Sequence, residues 1–438
     1  MEWVLTIAEQ HKDLQGAIIT MNDEWLNVLL PDSRAFRFRP SKMIDESLSE
    51  EVRTKRLTML LSIGVKNATH SQVKDTPPPT TENISNEHTL DFSDDSMNDE
   101  YNEGINARPI LPIIRRSDYF IQSHNHETSD SIIYLPLTDF VGIGIAEDLP
   151  QVIQPIFYSH FEEAGIFERD TDNIGELFNS VTHNLRAFNL RKNKGLNIAH
   201  TTINGAHVFS ITSPHEYQSS WFGDIEIIHR INEAILQDHP NQLLLYIPAS
   251  RTNLFIVFAD DPHLAEFFSF MRRSLPTKDS IYPLPHTIAE DGWKEWIPFL
   301  DHPAARILEN IRTSYRKSTY DMQVATMNTW PQDHGMLKEY TIKHMKGERH
   351  IAVSSWEDTD IYGSIPECDY ISFIRSFNDK NGIEEKTSAA TVKLRVACDI
   401  WREGIQKIDN IWPPRYAIQG FPSEDILTKM REASRKHF

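Results

Sequence analysis

Two histidines and a short run of acids are the residues of this 438-residue chain whose types and spacing best suit a metal ion. In Ser123-His124-Asn125-His126-Glu127-Thr128-Ser129-Asp130, a His-x-His pair on a strand would turn both rings to one side, with carboxylates close by. The flanking residues are all polar, so a solvated loop competes with a site, which needs a supporting shell around its ligands. Glu357-Asp358-Thr359-Asp360, with Asp369 nearby in sequence, offers Asp358, Asp360 and Asp369 as oxygen ligands for Mg²⁺ or Ca²⁺. An acidic turn between strands is the competing reading, because Asp readily bonds its own backbone. If His124, His126 and these aspartates converged, the chemistry would be metal-assisted hydrolysis.

A second set could hold an anion. Arg115, Asn184, Arg186 and Arg251 combine guanidinium forks with an amide, and such forks match phosphate or carboxylate oxygens two at a time. Arg186 lies off the apolar stripe of Val181, Leu185 and Phe188, on a polar flank, where pairing with Glu233 or Asp118 would make it structural instead. The basic run from Arg186 to Lys194 suits a helix C-terminus, where cations complement the dipole. Cys368 and Cys398 have no ligand spacing and read as buried, reduced thiols. The chain lacks a Gly-x-Ser-x-Gly elbow, a phosphate-cradling glycine loop with lysine and a His-Glu-x-x-His motif, and it has only 17 glycines. No catalytic residue is assigned and no cofactor is expected.

The elements that must position these residues are strands, turns and helices in alternation. Four times an apolar strand meets a proline and a second apolar strand follows, around Pro31, Pro136, Pro248 and Pro366. Proline fixes φ and neighbouring Asp, Ser, Thr or Asn close turns, so each copy reads as a β-hairpin. Amphipathic helices are expected near Leu48 to Ile63, along Ile174, Leu177, Phe178, Val181, Leu185 and Phe188, along Ile225, Ile228, Ile231 and Ile235, around Leu264 to Met271, and from Pro303 to about Met327. A further helix is expected around Ala389 to Ile408, and Ser423-Glu424-Asp425 caps a final one. The fold class is therefore α+β: antiparallel hairpins covered by amphipathic helices, in two or three lobes.

Residues 1–65 read as the first part of an N-terminal α+β domain. Residues 66–107 carry nine acids against two lysines, with Pro77-Pro78-Pro79, and read as a disordered acidic insertion. A second α+β domain spans 108–286. The prolines from Pro276 to Pro285 suggest a linker, after which Trp293, Trp296, Ile297, Phe299 and Leu300 open new packing in a C-terminal α+β domain, 287–438, with a helical tail.

Ile110-Leu111-Pro112-Ile113-Ile114-Arg115, Asn184-Leu185-Arg186, Ile231-Asn232-Glu233-Ala234-Ile235-Leu236 and the stretch from Leu244 to Phe258 around Pro248 form an ordered series. Through it, residues 1–65 and 108–275 resemble the YtpQ-type bacterial family, whose domain has no assigned activity. The resemblance therefore carries over no catalytic residue, and the C-terminal region lies outside it.

A formal net charge of -19 disfavours sequence-independent binding of nucleic acid, which requires a basic surface. No apolar run is long enough to span a membrane. The opening Met1-Glu2-Trp3-Val4-Leu5 carries an acid where a secretory signal carries basic residues, so a cytoplasmic location is expected. Together these point to a non-catalytic cytoplasmic factor of immunity, adaptor or regulatory type that binds another protein, with a basic partner suited to its charge. The rival readings are a metal-assisted hydrolase or nuclease and a small-anion sensor. Nothing in the sequence indicates the oligomeric state.

Overall fold

A computed structural model describes residues 2–22, 25–31, 34–38, 40, 44, 49–67, 69–70, 88–91, 110–124, 130–148, 153–159, 174–190, 195–274, 280–345, 349–378 and 384–435. The chain divides into two compact units, Met1–Thr80 and Thr81–Phe438. The architecture is mixed α+β, with antiparallel sheets interleaved with helices.

In the first unit, α1 (Glu2–Glu9) and α2 (Glu50–Asn67) accompany the sheet β1 (Ile18–Asn22), β2 (Trp25–Leu29), β3 (Arg34–Phe38) and β4 (Thr69–His70), whose spatial order is the order in sequence. Val4, Ala8, Leu26, Val28, Leu57 and Leu61 form its core.

The second unit begins with β5 (His88–Asp91), β6 (Ile110–Arg116), α3 (Ser117–Gln122), β7 (Tyr134–Pro136), β8 (Val141–Asp148) and β9 (Ile153–Pro155). There follow α4 (Ile174–Leu190), β10 (Gly195–Ile203), β11 (Ala206–Ile211), α5 (Ile225–Asp238), β12 (Leu244–Ser250), β13 (Asn253–Phe258), α6 (Leu264–Ser274), β14 (His286–Ala289) and β15 (Gly292–Glu295). The remainder is α7 (Ala305–Met327), β16 (Met336–Leu337), β17 (Thr341–Met345), β18 (Arg349–Glu357), β19 (Tyr362–Pro366), β20 (Tyr370–Asn378), β21 (Glu384–Lys393), α8 (Leu394–Ile400), β22 (Ile405–Lys407), β23 (Arg415–Gln419) and α9 (Glu424–Arg435).

The largest sheet runs β15-β14-β12-β13-β11-β10-β5. Three smaller sheets run β6-β8-β7 with β9 on β8, β16-β19-β23-β22 and β17-β18-β20-β21. Two pairs are parallel, β16 with β19 and β18 with β20. The apolar stripes deliver the expected helices: Phe178, Val181 and Leu185 are buried on α4, and Ile227, Ile228, Ile231 and Ile235 on α5, whose N-cap Asp224 accepts from the Ile227 amide.

Three of the four proline turns join paired strands: β2–β3, β7–β8 and β12–β13. In the third, Pro248 sits within β12 beside a bulge and the turn itself falls at Arg251–Thr252. The fourth is not a hairpin. β19 and β20 belong to different sheets, because the Asp369 amide and carboxylate both bond Ala352 and lead the chain onto β18 in parallel register. The helix expected from Ala389 is likewise shorter: β21 continues to Lys393, its Thr391 and Val392 paired with Ser372 and Ile371, and only Leu394–Ile400 is helical.

The boundary expected near 287 falls inside β14, and one core extends through it from Leu111 to Ala352. Ile281, Tyr282 and Leu284, in the expected linker, are buried in that core. A second core, with Trp356, Phe373, Val392 and Leu427 among its members, underlies the C-terminal sheets. Within the expected acidic insertion, Thr69–His70 and His88–Asp91 are strands; beyond Asn67 the rest of it lies outside the described residues. A late clip joins distant parts of the unit: the Trp412 indole donates to the Thr138 carbonyl at 2.8 Å and stacks on Tyr134 with ring centres 5.4 Å apart. Beside it, the Tyr320 hydroxyl and the Gln323 amide of α7 donate to the carbonyls of Pro414 and Pro413.

Candidate functional site

Among the described residues the metal-type side chains do not gather into one site. His124 follows α3, its ring 5.9 Å from that of Trp330, and His126 lies outside the described residues. Asp358 accepts from the Ser376 amide at 3.2 Å. Asp360 accepts from the Glu357 amide and meets the Lys338 ammonium at 2.6 Å, while Asp369 accepts from the Ala352 amide at 2.7 Å. Asp360 therefore closes its own turn, while Asp358 and Asp369 fasten theirs to the neighbouring strands β20 and β18. Among the described residues no three His, Cys, Asp or Glu side chains are placed to hold a metal. Cys368 donates to the Tyr370 carbonyl, and burial pushes its thiol and that of Cys398 up, the latter to about 11, so neither is a ready thiolate.

Arg186 is a structural residue. Its fork takes both oxygens of Asp224 at 2.7 Å, and the same guanidinium meets Glu226 at 2.8 Å. Burial opposes the charge, but Asp224 and then Glu226 outweigh it and raise the guanidinium above its usual value. Its partners are thus Asp224 and Glu226, not Glu233 or Asp118; Asp118 is taken by Arg116. Because Asp224 also caps α5, Arg186 ties α4 to the start of that helix. Asn184 donates to the Ile110 carbonyl at 3.1 Å and fastens α4 to β6.

Arg115 and Arg251, with 135 residues between them in the chain, lie on neighbouring elements: Ser219 holds the Arg251 turn, and Ser220 beside it donates to the Pro112 carbonyl of β6 at 2.7 Å. Arg115 is the last residue but one of β6, half-buried, with one N–H on the neighbouring Ile114 carbonyl and its guanidinium 5.5 Å from the Tyr119 ring centre. Burial lowers it to about 10; Arg251 adds to that effect, while Tyr119, Tyr217 and Glu216 oppose it. Arg251 sits in the β12–β13 turn, which the Ser219 amide and hydroxyl hold by bonding the Arg251 carbonyl. Its guanidinium reaches Glu216 at 3.4 Å, and Tyr217 donates to Asp148 at 2.8 Å.

Two features escaped sequence reasoning. The first is a charged centre in the core: Glu295 of β15 binds Arg312 and Arg316 of α7 and accepts from the Tyr282 hydroxyl. His286 lies fully buried between Phe222 and Tyr282, and neither ring nitrogen has a hydrogen-bond partner among the described residues. The available signals were the alternation that puts Glu295 on the face of buried Trp293, and the spacing of four between Leu308, Arg312 and Arg316 on α7. The second is an apolar tip. Trp293 is buried and stacked on Phe222 at 4.0 Å, but Ile297, Phe299 and Leu300 are 65%, 88% and 81% exposed, so these three open no new packing within the chain. The tip is braced at its base. The Trp296 amide donates to the Pro285 carbonyl, its ring meets that of His302 edge-on at 5.3 Å, and His302 bonds Phe299, Ala304 and Ala305.

Among the described residues no helix is long and apolar enough to cross a membrane. Comparison with known proteins finds no matching family model, no matching curated protein and no matching solved structure.

Proposed function

We propose that the chain is a non-catalytic binding protein that docks onto another protein through the tip Ile297-Pro298-Phe299-Leu300. The observation that carries this reading is the exposure of three large apolar side chains on a loop whose base is locked by Trp296 and His302. Leaving such side chains in water forgoes roughly 1.5–3 kcal/mol each relative to burial, and a partner's apolar groove would recover it. A braced loop loses little conformational freedom on binding, which favours a contact made through few residues. The net charge of -19 suits a partner whose rim around that groove is basic. A metal-assisted hydrolase has less support, since Asp358, Asp360 and Asp369 are each engaged by a protein partner, the Ser376 amide, the Lys338 ammonium and the Ala352 amide. The resemblance to the YtpQ-type family carries no activity that would shift the choice.

The test is site-specific photo-crosslinking in cells, with a photoreactive residue at Phe299 and, as the control, at Phe377, which is 47% exposed elsewhere on the surface. One dominant heterologous adduct at 299, absent at 377 and lost when Leu300→Ser is added, is the expected result. No adduct, the same adducts from both positions, or only an adduct with a second copy of the chain would overturn the reading.

A further inference from the structure

Among the described residues of the larger unit, four arginines of its interior meet carboxylates. Arg116 holds Asp118, Arg186 holds Asp224 and Glu226, and Arg312 and Arg316 share Glu295. Fully buried Arg415 is satisfied differently, by Ser364, Gln323 and the Lys338 and Ser364 carbonyls. Arg115 follows neither pattern. A guanidinium carries five N–H donors, and among the described residues Arg115 uses its fork only on the Ile114 carbonyl. No carboxylate comes within 4.0 Å of it there, and none of its nitrogens is among the sealed, unpartnered atoms of the interior. Its remaining donors therefore face accessible space.

The turn that carries a second guanidinium, Arg251, lies against the strand that carries Arg115: the Ser219 amide and hydroxyl bond the Arg251 carbonyl, and the next hydroxyl, Ser220, donates to the Pro112 carbonyl of β6 at 2.7 Å. Arg251 also disfavours the charge on Arg115. The anionic side chain facing them is engaged: Glu216 is divided between Arg251 and His215, each at 3.4 Å, and the neighbouring Tyr217 hydroxyl donates to Asp148. Two neighbouring like charges are stabilised by an anion between them, and a half-buried setting strengthens that attraction above its value in bulk water. The backbone at Glu216 is left-handed, φ 73°, which a non-glycine residue adopts at a cost, and its carboxylate lies 3.4 Å from the Arg251 guanidinium.

We propose that Arg115 and Arg251, walled by Tyr119, form a binding site for the anionic group of a small ligand, a phosphate or a carboxylate. Arg115 supplies the bidentate fork and Arg251 the second charge. Glu216 acts as the internal competitor that an incoming anion displaces from Arg251. The site uses no residue of the apolar tip, so it stands or falls independently of the docking reading.

Isothermal titration of the full chain with inorganic phosphate and, separately, with succinate distinguishes the two sources of the anion. The expected result is saturable binding of at least one probe in the millimolar range or tighter, weakened at least tenfold by Arg115→Met and severalfold by Arg251→Gln. Glu216→Gln, which removes the competitor, is expected to tighten it severalfold. Arg115→Lys keeps the charge and removes the fork, and is expected to lose most of the affinity; it serves as the decisive variant if Arg115→Met fails to fold. No saturable binding of either probe, or binding unchanged in both Arg115 variants, overturns the proposal.

Discussion

Replacing Glu295 by Gln removes one negative charge from the centre of the larger unit and leaves the Arg312 and Arg316 guanidinium groups without a counter-charge. All three side chains are largely withdrawn from water, with exposures of 12%, 14% and 15%. Removing one partner from a buried ion pair costs about 3–5 kcal/mol, because the charge left behind is uncompensated. Titration leads to a similar magnitude. Burial pushes the Glu295 carboxyl up, but Arg316 and Arg312, aided by His286, override it and hold it at about 2 against an ordinary 4.5. At about 1.4 kcal/mol per pKa unit that difference is worth about 3 kcal/mol at neutral pH. With an m-value of about 3 kcal/mol/M, the urea midpoint followed by intrinsic tryptophan fluorescence falls by about 1 M in Glu295→Gln at pH 7. A folded carboxyl held below its unfolded value stabilises fully above the unfolded pKa and loses that contribution as pH falls through the folded one. The gap between wild type and variant therefore narrows from pH 4.5 towards 2, to about 2 kcal/mol at pH 3.5. A midpoint shift below about 0.3 M at pH 7, or a gap that does not narrow in acid, would refute the ion-pair account.

Two further outcomes follow from the same core. Burial holds His286 at about 4 against an ordinary 6.5, with Glu295 opposing in part, so the native state takes up a proton less readily than the unfolded chain between those values. Its contribution to stability is complete above pH 6.5 and is lost as pH falls towards 4, amounting to about 2 kcal/mol between pH 7.5 and 5. His286→Phe, at a site lined by Phe222 and Tyr282, removes that part of the slope in a pH series of urea midpoints; an unchanged slope counts against the assignment. Gly363→Ala drives a Cβ of β19 into the Met336 backbone of β16. Its thermal midpoint drops by the equivalent of about 1–3 kcal/mol, and a neutral result would mean that the parallel pair β16–β19 is not closely packed.

The α+β class was legible because apolar periodicity and turn chemistry are local. Val181 and Leu185 announce their helix, and Asn253 to Phe258 their strand, without help from the rest of the chain. The fourth proline turn was misread for the same reason: Pro366 marks a change of direction, but only the distant Ala352 decides that β20 joins β18 instead of folding back on β19. The run Ile297-Pro298-Phe299-Leu300 reads as core by composition, yet the brace between Trp296 and His302 turns it outward. The arginines divide similarly. Whether Arg186 or Arg115 meets a carboxylate depends on where Asp224 and Glu216 come to rest, which follows from packing between elements and leaves no mark on local spacing.

The clip between Trp412 and Thr138 has a consequence for biosynthesis. Its two partners are 274 residues apart, and at about 5–20 residues per second the second is made roughly 15–55 s after the first. Throughout that interval the rings of Phe120 and Tyr134 lack the indole that covers them in the finished protein, and the Thr138 carbonyl lacks its donor. A nascent chain paused short of Trp412, or one cut off there by a premature stop, carries an uncovered aromatic notch that chaperones and proteases can recognise before the fold is complete.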